Sequence, residues 1–141
     1  MIGLDVVRKA ERYAELAHAG RFDRAGVPYI EHPRAVAGMV SGELEKAVAY
    51  LHDVVEDSDS SVEDIREFFG DRIADAVDCL TRRSGEPYMD YIRRLAVDPV
   101  ARIVKMADLE HNMDVSRLPI ITDADWARVK KYKKAYEYLS E

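Results

Sequence analysis

One cysteine, Cys79, stands in 141 residues, so no internal disulfide and no cysteine-rich zinc site can be built. No apolar run approaches the roughly 20 residues a helix needs to cross a bilayer. The first twelve residues carry Asp5 and Glu11 where a secretory signal needs an apolar stretch. Surplus positive charge is also missing. The formal net charge is −6, which argues against generic nucleic-acid binding. Apolar–polar alternation of strand length, internal repeats and low-complexity tracts are absent too. What remains, with 48% hydrophobic and 34% charged residues, is a soluble globular protein. The expectation is one domain over residues 1–141, in a cytoplasmic setting, with neither a membrane nor a nucleic acid as partner.

Helical signals fill the chain. Val6, Ala10, Tyr13 and Ala17 recur at helical spacing, which predicts an amphipathic helix over 3–19, stopped by Gly20. A loop punctuated by Gly26 and Pro28 follows. Pro33 suits a first helical turn and places His32 at the mouth of a short helix over 33–40. A central helix over 43–56 comes next, apolar or aromatic all round from Ala47 to Leu51, which predicts burial on most sides. Ser60 with Glu63 has capping-box spacing for a helix over 62–69. Gly70 ends that helix, and Asp71 is placed to cap another over 72–82. A short helix covers 88–97, and Asp98-Pro99 opens another over 99–113. Thr122 or Asp123 caps a last helix with the stripe Trp126, Val129, Tyr132 or Lys133, Tyr136 and Leu139. The fold class is all-α, a bundle of seven or eight mostly short helices.

Polar groups interrupt this pattern in two places. Tyr50 to Asp57 starts apolar and ends acidic. At about 100° per residue, His52, Asp53, Glu56 and Asp57 fall in one band beside the apolar stripe Leu44, Val48, Leu51 and Val55. Three carboxylates and an imidazole at the end of a buried helix are costly unless a cation or hydrogen bonds compensate them, and a divalent metal is the economical explanation. On 101–112, Lys105, Asp108 and Asn112 share a second stripe. Taking His32 with His52, Asp53 and Asp108 gives two imidazoles and two carboxylates. That donor set suits Mn²⁺, Fe²⁺ or Co²⁺, with Zn²⁺ possible. Glu56 and Asp57, one turn further on, could orient a water or handle its proton. Arg21, Arg24, Arg82, Arg83 and Lys105 are the candidate cations for an anionic substrate.

His32, nineteen residues, His52-Asp53 and then Asp108 resembles the HD-domain phosphohydrolases. Gly-Val-Pro-Tyr-Ile-Glu-His-Pro over 26–33, Leu-His-Asp-Val-Val-Glu-Asp over 51–57 and Val-Lys-Met-Ala-Asp-Leu-Glu-His-Asn-Met over 104–113 are similar to the hydrolase domain of the RelA/SpoT alarmone enzymes and to the small alarmone hydrolases. The resemblance implies an all-α HD domain with one Mn²⁺. The implied reaction removes the 3′-pyrophosphate from (p)ppGpp. It implies His32, His52, Asp53 and Asp108 as metal ligands and Glu56 and Asp57 as the catalytic pair. Asn112 is implied as a nucleotide contact and Arg24 as a basic residue near the base. The chain departs from the family where two consecutive basic residues are usual and Asp23-Arg24 stands here. Arg-Leu-His-Asn is likewise usual where Leu109-Glu110-His111-Asn112 stands.

Bland roles compete for the remaining residues. Arg82 and Arg83 suit a helix C-terminus as well as a phosphate. Tyr88 and Tyr91 read as core packing, His18 and His111 as structural, and Lys130, Lys131, Lys133 and Lys134 as a solvated face. Two other functions stay open beside (p)ppGpp hydrolysis. One is phosphatase action on a nucleoside monophosphate or an NADPH-like 2′-phosphate. The other is a nucleotide-binding sensor without turnover. The last helix could also make a homodimer contact.

Overall fold

In a computed structural model the chain is described from residue 3 onward, with side chains from Val6; Met1 and Ile2 lie outside the described residues. The described residues form helices joined by turns, with one isolated β-bridge between Phe22 and Pro28. The helices are α1 (Gly3–Ala17), α2 (Glu31–Met39), α3 (Glu43–Leu51), α4 (Val54–Asp57) and α5 (Val62–Phe69). After them come α6 (Asp71–Leu80), α7 (Tyr88–Leu95), α8 (Pro99–Met113) and α9 (Asp123–Leu139). Since α3 and α4 are two parts of the expected central helix, the all-α architecture matches an eight-helix reading. None of these helices is long and apolar enough to cross a membrane.

The bundle is built around α3, which packs against α1, α2, α6 and α8. Ala47, Val48, Ala49 and Leu51 are completely buried, as the run without polar residues demands. Removing Val48 or Leu51 from water contributes about 1.5–3 kcal/mol each. α8 packs on α2, α3, α6 and α9 and buries Val100, Ala101, Val104, Ala107 and Leu109. The two polar interruptions seen in the sequence therefore face each other across one core.

Local chemistry sets the boundaries, and four differ from expectation. His32 lies inside the first turn of α2, not ahead of it. The proline that follows removes no bond there, because the first N–H groups of a helix are unpaired anyway. The central helix breaks at Asp53, with φ −105° and ψ −2°. The capping box is Ser61 with Asp64, one residue later than expected. Asp71 does not cap α6; Gly70 does, at φ 89°, a conformation that favours glycine and turns α5 into α6. Asp98 and Thr122 cap α8 and α9 as read from the sequence. Trp126 is 54% exposed and does not join the stripe that buries Ala135 and Leu139.

Candidate metal centre and cleft

His32, His52, Asp53 and Asp108 each offer one donor atom, and these atoms all lie within 4.8 Å of one another. α2 supplies the first, the break between α3 and α4 the next two, and α8 the last. The break frees Asp53 from a regular helical direction and brings its Oδ2 to 3.1 Å from His52 Nε2. His32 Nε2 is 2.8 Å and His52 Nε2 3.2 Å from the same Asp108 oxygen. Both histidines and Asp108 are buried.

Outer contacts orient each donor. His52 Nδ1 is 2.6 Å from the Ala49 carbonyl. A proton on Nδ1 donates to that oxygen and leaves Nε2 facing the carboxylates. His32 Nδ1 is 2.8 Å from His111 Nδ1. The Tyr29 hydroxyl donates to Asp53 Oδ2 at 2.5 Å. Lys105 donates to Asp108 Oδ2 at 2.9 Å and Asn112 to Asp108 Oδ1 at 3.0 Å. The shared stripe of Lys105, Asp108 and Asn112 thus converges on the aspartate.

The electrostatics call for a cation. Burial works against the ionised Asp108, but Lys105 and His52 outweigh it and hold its pKa well below the ordinary carboxylate value. Burial likewise works against a charged His52, yet Asp53 and Asp108 raise its pKa well above the ordinary imidazole value. Buried carboxylates that draw positive charge, two ring nitrogens and preset orientations together fit a divalent metal ion.

Glu56 and Asp57 sit on α4, one turn past Asp53. Desolvation, then the Asp53 charge, raises the pKa of each. Their neighbours differ. Asp57 meets Arg21, whose guanidinium donates to the Asp57 carbonyl at 2.9 Å and lies 3.6 Å from its carboxylate. Glu56 is 3.4 Å from the Arg82 backbone N–H.

A cleft of about 420 Å³ adjoins the cluster, and Tyr29 and Asn112, which touch two of the donors, form part of its wall. Arg21, Arg24, Arg117 and Arg128 also line it. Most of these cations are held by acids. Arg24 and Arg128 both pair with Asp125, a buried carboxylate of the α9 capping box. Arg117 lies 3.3 Å from Asp23, whose other oxygen accepts from the Ala25 and Val27 N–H groups at 2.9 Å each. Asp23 therefore builds a turn, with Gly26 at φ 84° completing it.

The structure brings His32, His52, Asp53, Asp108, Lys105 and Asn112 into one cluster, with Glu56, Asp57 and Arg21 at its edge. Arg24 stands apart in the cleft. Sequence reasoning assigned no role to Tyr29, Arg117, Asp125 and Arg128, and it read His111 as structural. His111 lies three residues after Asp108 on α8, so helical neighbourhood could have flagged it, whereas Tyr29 lies in the turn just before α2. Of the others, Arg117 meets Asp23 far along the chain, whereas Arg128 meets Asp125 only three residues away on the same helix.

A family model described as "HD domain" matches residues 10–124. A GTP pyrophosphokinase of Myxococcus xanthus is 34% identical over 129 residues, covering 78% of this chain and 17% of that protein. The guanosine-3′,5′-bis(diphosphate) 3′-pyrophosphohydrolase of Haemophilus influenzae is 33% identical over 112 residues, covering 69% of this chain and 16% of that protein. The chain thus spans about a sixth of the length of these curated relatives. A solved structure, described as "a metazoan ortholog of SpoT", superposes with a TM-score of 0.77, covering 95% of this chain and 84% of that one. At 22% identity that likeness speaks for the fold. The family match spans most of the chain and includes all four clustered donors, and the chain belongs to the HD domain family.

Proposed function

We propose that this chain is a metal-dependent nucleotide phosphohydrolase that removes the 3′-pyrophosphate of (p)ppGpp, releasing GDP or GTP and pyrophosphate. Mn²⁺ is the proposed ion, because two imidazoles and two carboxylates without a thiolate suit it. The observation that carries the reading is the juxtaposition of three things: a buried two-histidine, two-aspartate cluster, an acidic pair with raised pKa at its edge, and an arginine-lined cleft beside it. Homologues named as 3′-pyrophosphohydrolases support the choice of substrate. Residues 1–141 are proposed to act as one HD unit, and the common core around α3 supports that.

His32, His52, Asp53 and Asp108 would hold the ion. Once bound, it supplies positive charge to the phosphate oxygens and lowers the pKa of the attacking water. Tyr29, Lys105, Asn112 and the Ala49 carbonyl keep the donors oriented. The water oxygen forms a bond to the proximal phosphorus of the 3′ group, and the bond from that phosphorus to the 3′ oxygen breaks. Glu56 or Asp57 accepts the water proton; a carboxylate with raised pKa is a better base and can return a proton to the leaving oxygen. The electron pair stays on the 3′ oxygen, which becomes the hydroxyl of GDP or GTP. Arg21 steadies Asp57, and Arg24, Arg117 and Arg128 face the nucleotide from the cleft.

Steady-state hydrolysis of a nucleotide panel by Mn²⁺-loaded protein tests the reading. The expected result is pyrophosphate release from ppGpp at a kcat/KM far above that for nucleoside monophosphates or NADPH. Activity confined to the latter would replace the substrate assignment. Metal and nucleotide binding without any turnover would replace the enzyme by a sensor.

A further inference from the structure

Beyond Glu56, away from the Arg21 contact, lies a second group of cations. Tyr88 opens α7, and two cations lie over its ring: the Arg82 guanidinium at 5.5 Å and Lys131 Nζ at 4.4 Å from the centroid. Lys131 is also 5.5 Å from the centroid of Tyr132. Behind them, Lys105 Nζ stands 5.2 Å from the Tyr91 centroid. Lys131 is exposed, as the solvated face read from the sequence requires, and its ammonium lies against the Tyr88 ring of α7.

Arg82 and Lys131 lack the carboxylate partners that Lys105 and the cleft arginines have. The chain carries 27 acidic against 21 basic residues, so acids are plentiful. Arg24 and Arg128 share Asp125, Arg117 has Asp23, and Arg94 takes Glu86 at 2.9 Å. The Arg82 guanidinium donates to the Glu86 carbonyl, and among the described residues neither the Arg82 nor the Lys131 side chain pairs with a carboxylate. Their like charges are felt: burial, then Arg82 and Lys105, lowers the Lys131 pKa. The Tyr88 hydroxyl is buried beneath without a hydrogen-bond partner. Cations that crowd one another beside an unpartnered donor form a site that an anion would relieve.

We propose that Arg82 and Lys131, seated on Tyr88 and backed by Lys105, form a second phosphate subsite that takes the distal phosphate of a 3′-pyrophosphate substrate and of the pyrophosphate product. The proposal rests on the reading of the site as a pyrophosphohydrolase. It follows from the placement of the acidic pair. Asp57 touches Arg21 of the cleft wall, whereas Glu56 touches the Arg82 backbone. A nucleoside in the cleft with its proximal phosphate at the metal donors would send the next phosphate past Glu56 to Arg82 and Lys131. The subsite would thus select a pyrophosphate over a single phosphate at the 3′ position.

The test is calorimetric titration of Mn²⁺-loaded protein with pyrophosphate, added as its Mn²⁺ complex, and separately with orthophosphate. Wild type should bind pyrophosphate more tightly. Lys131→Met should weaken pyrophosphate binding about tenfold, the loss expected for one charge-assisted contact, and change orthophosphate binding less than about twofold. Lys131→Arg should restore the preference. Lys131 is exposed, so neither change threatens the core. Equal pyrophosphate affinity in wild type and Lys131→Met, or equal losses for both anions, would overturn the subsite. The binding measurement needs no turnover. A protein that prefers pyrophosphate through Lys131 but does not hydrolyse ppGpp would keep the subsite and lose the proposed reaction. Hydrolysis of ppGpp with no effect of Lys131→Met would do the reverse.

Discussion

The metal centre and the outer cleft are built on different principles. In the centre, Asp108 is 3% exposed and is bound by Lys105, Asn112 and two histidines that come from neighbouring helices. In the cleft, Arg24 and Arg117 sit on loops and meet acids across more than ninety residues of sequence. The centre is fixed by core packing, so its geometry follows from the bundle. The cleft is fixed by ion pairs between the 20–30 loop, the 114–122 linker and α9, so it can change without disturbing the helices. In the proposed reaction the first would house the chemistry and the second the choice of nucleotide.

The sharpest way to break this contrast is Asp108→Ala. It removes a donor and leaves the largely buried Lys105 without its partner, at a cost of about 3–5 kcal/mol. Metal content and activity should both vanish, and thermal unfolding should register the loss. Next is Glu56→Gln. Losing one acid–base group should lower kcat by about 10²–10⁴-fold while metal content stays unchanged. Metal loss in this variant would move Glu56 into the centre itself.

The buried side of the centre carries a pH signature. Burial holds the His18 pKa down at about 4, against partial opposition from Asp53. A histidine whose folded pKa is depressed binds its proton more readily when unfolded, so stability rises with pH. It should be complete above the unfolded value near 6.5 and decline as pH falls toward 4, by roughly 3 kcal/mol in all. Denaturant unfolding of wild type and His18→Phe across that window checks it; the variant should lack this part of the decline. The smallest effect belongs to the cleft. Arg24→Ala should raise KM for ppGpp by about tenfold or less and leave kcat, metal content and stability nearly unchanged. A kcat collapse would show that cleft and centre are coupled.

The same division governs what could be read from the sequence. His52 and Asp53 with the acidic pair, and the Lys105–Asp108–Asn112 stripe, were legible from helical spacing, whereas His32 joined them through Pro33 and the motif order of the HD-domain resemblance. The helices themselves were legible from periodicity and caps, as at Asp98-Pro99 and Thr122. The break at Asp53 was not, because nothing local demands it; it pays off only when His32 and Asp108 arrive from other helices. Asp125 illustrates the limit on the cleft side. In the sequence it is an ordinary first-turn acid three residues from Arg128, and only the fold brings Arg24 to it as well. Lys131 repeats the point, since its neighbour Tyr88 lies on another helix.

The measurement that tests the central claim most directly is pyrophosphate release from ppGpp, with bound metal quantified in the same samples of wild type and His52→Ala. The account predicts about one Mn²⁺ per wild-type chain with stoichiometric pyrophosphate and GDP, and loss of both metal and turnover in the variant. Turnover that persists in His52→Ala without metal would contradict it.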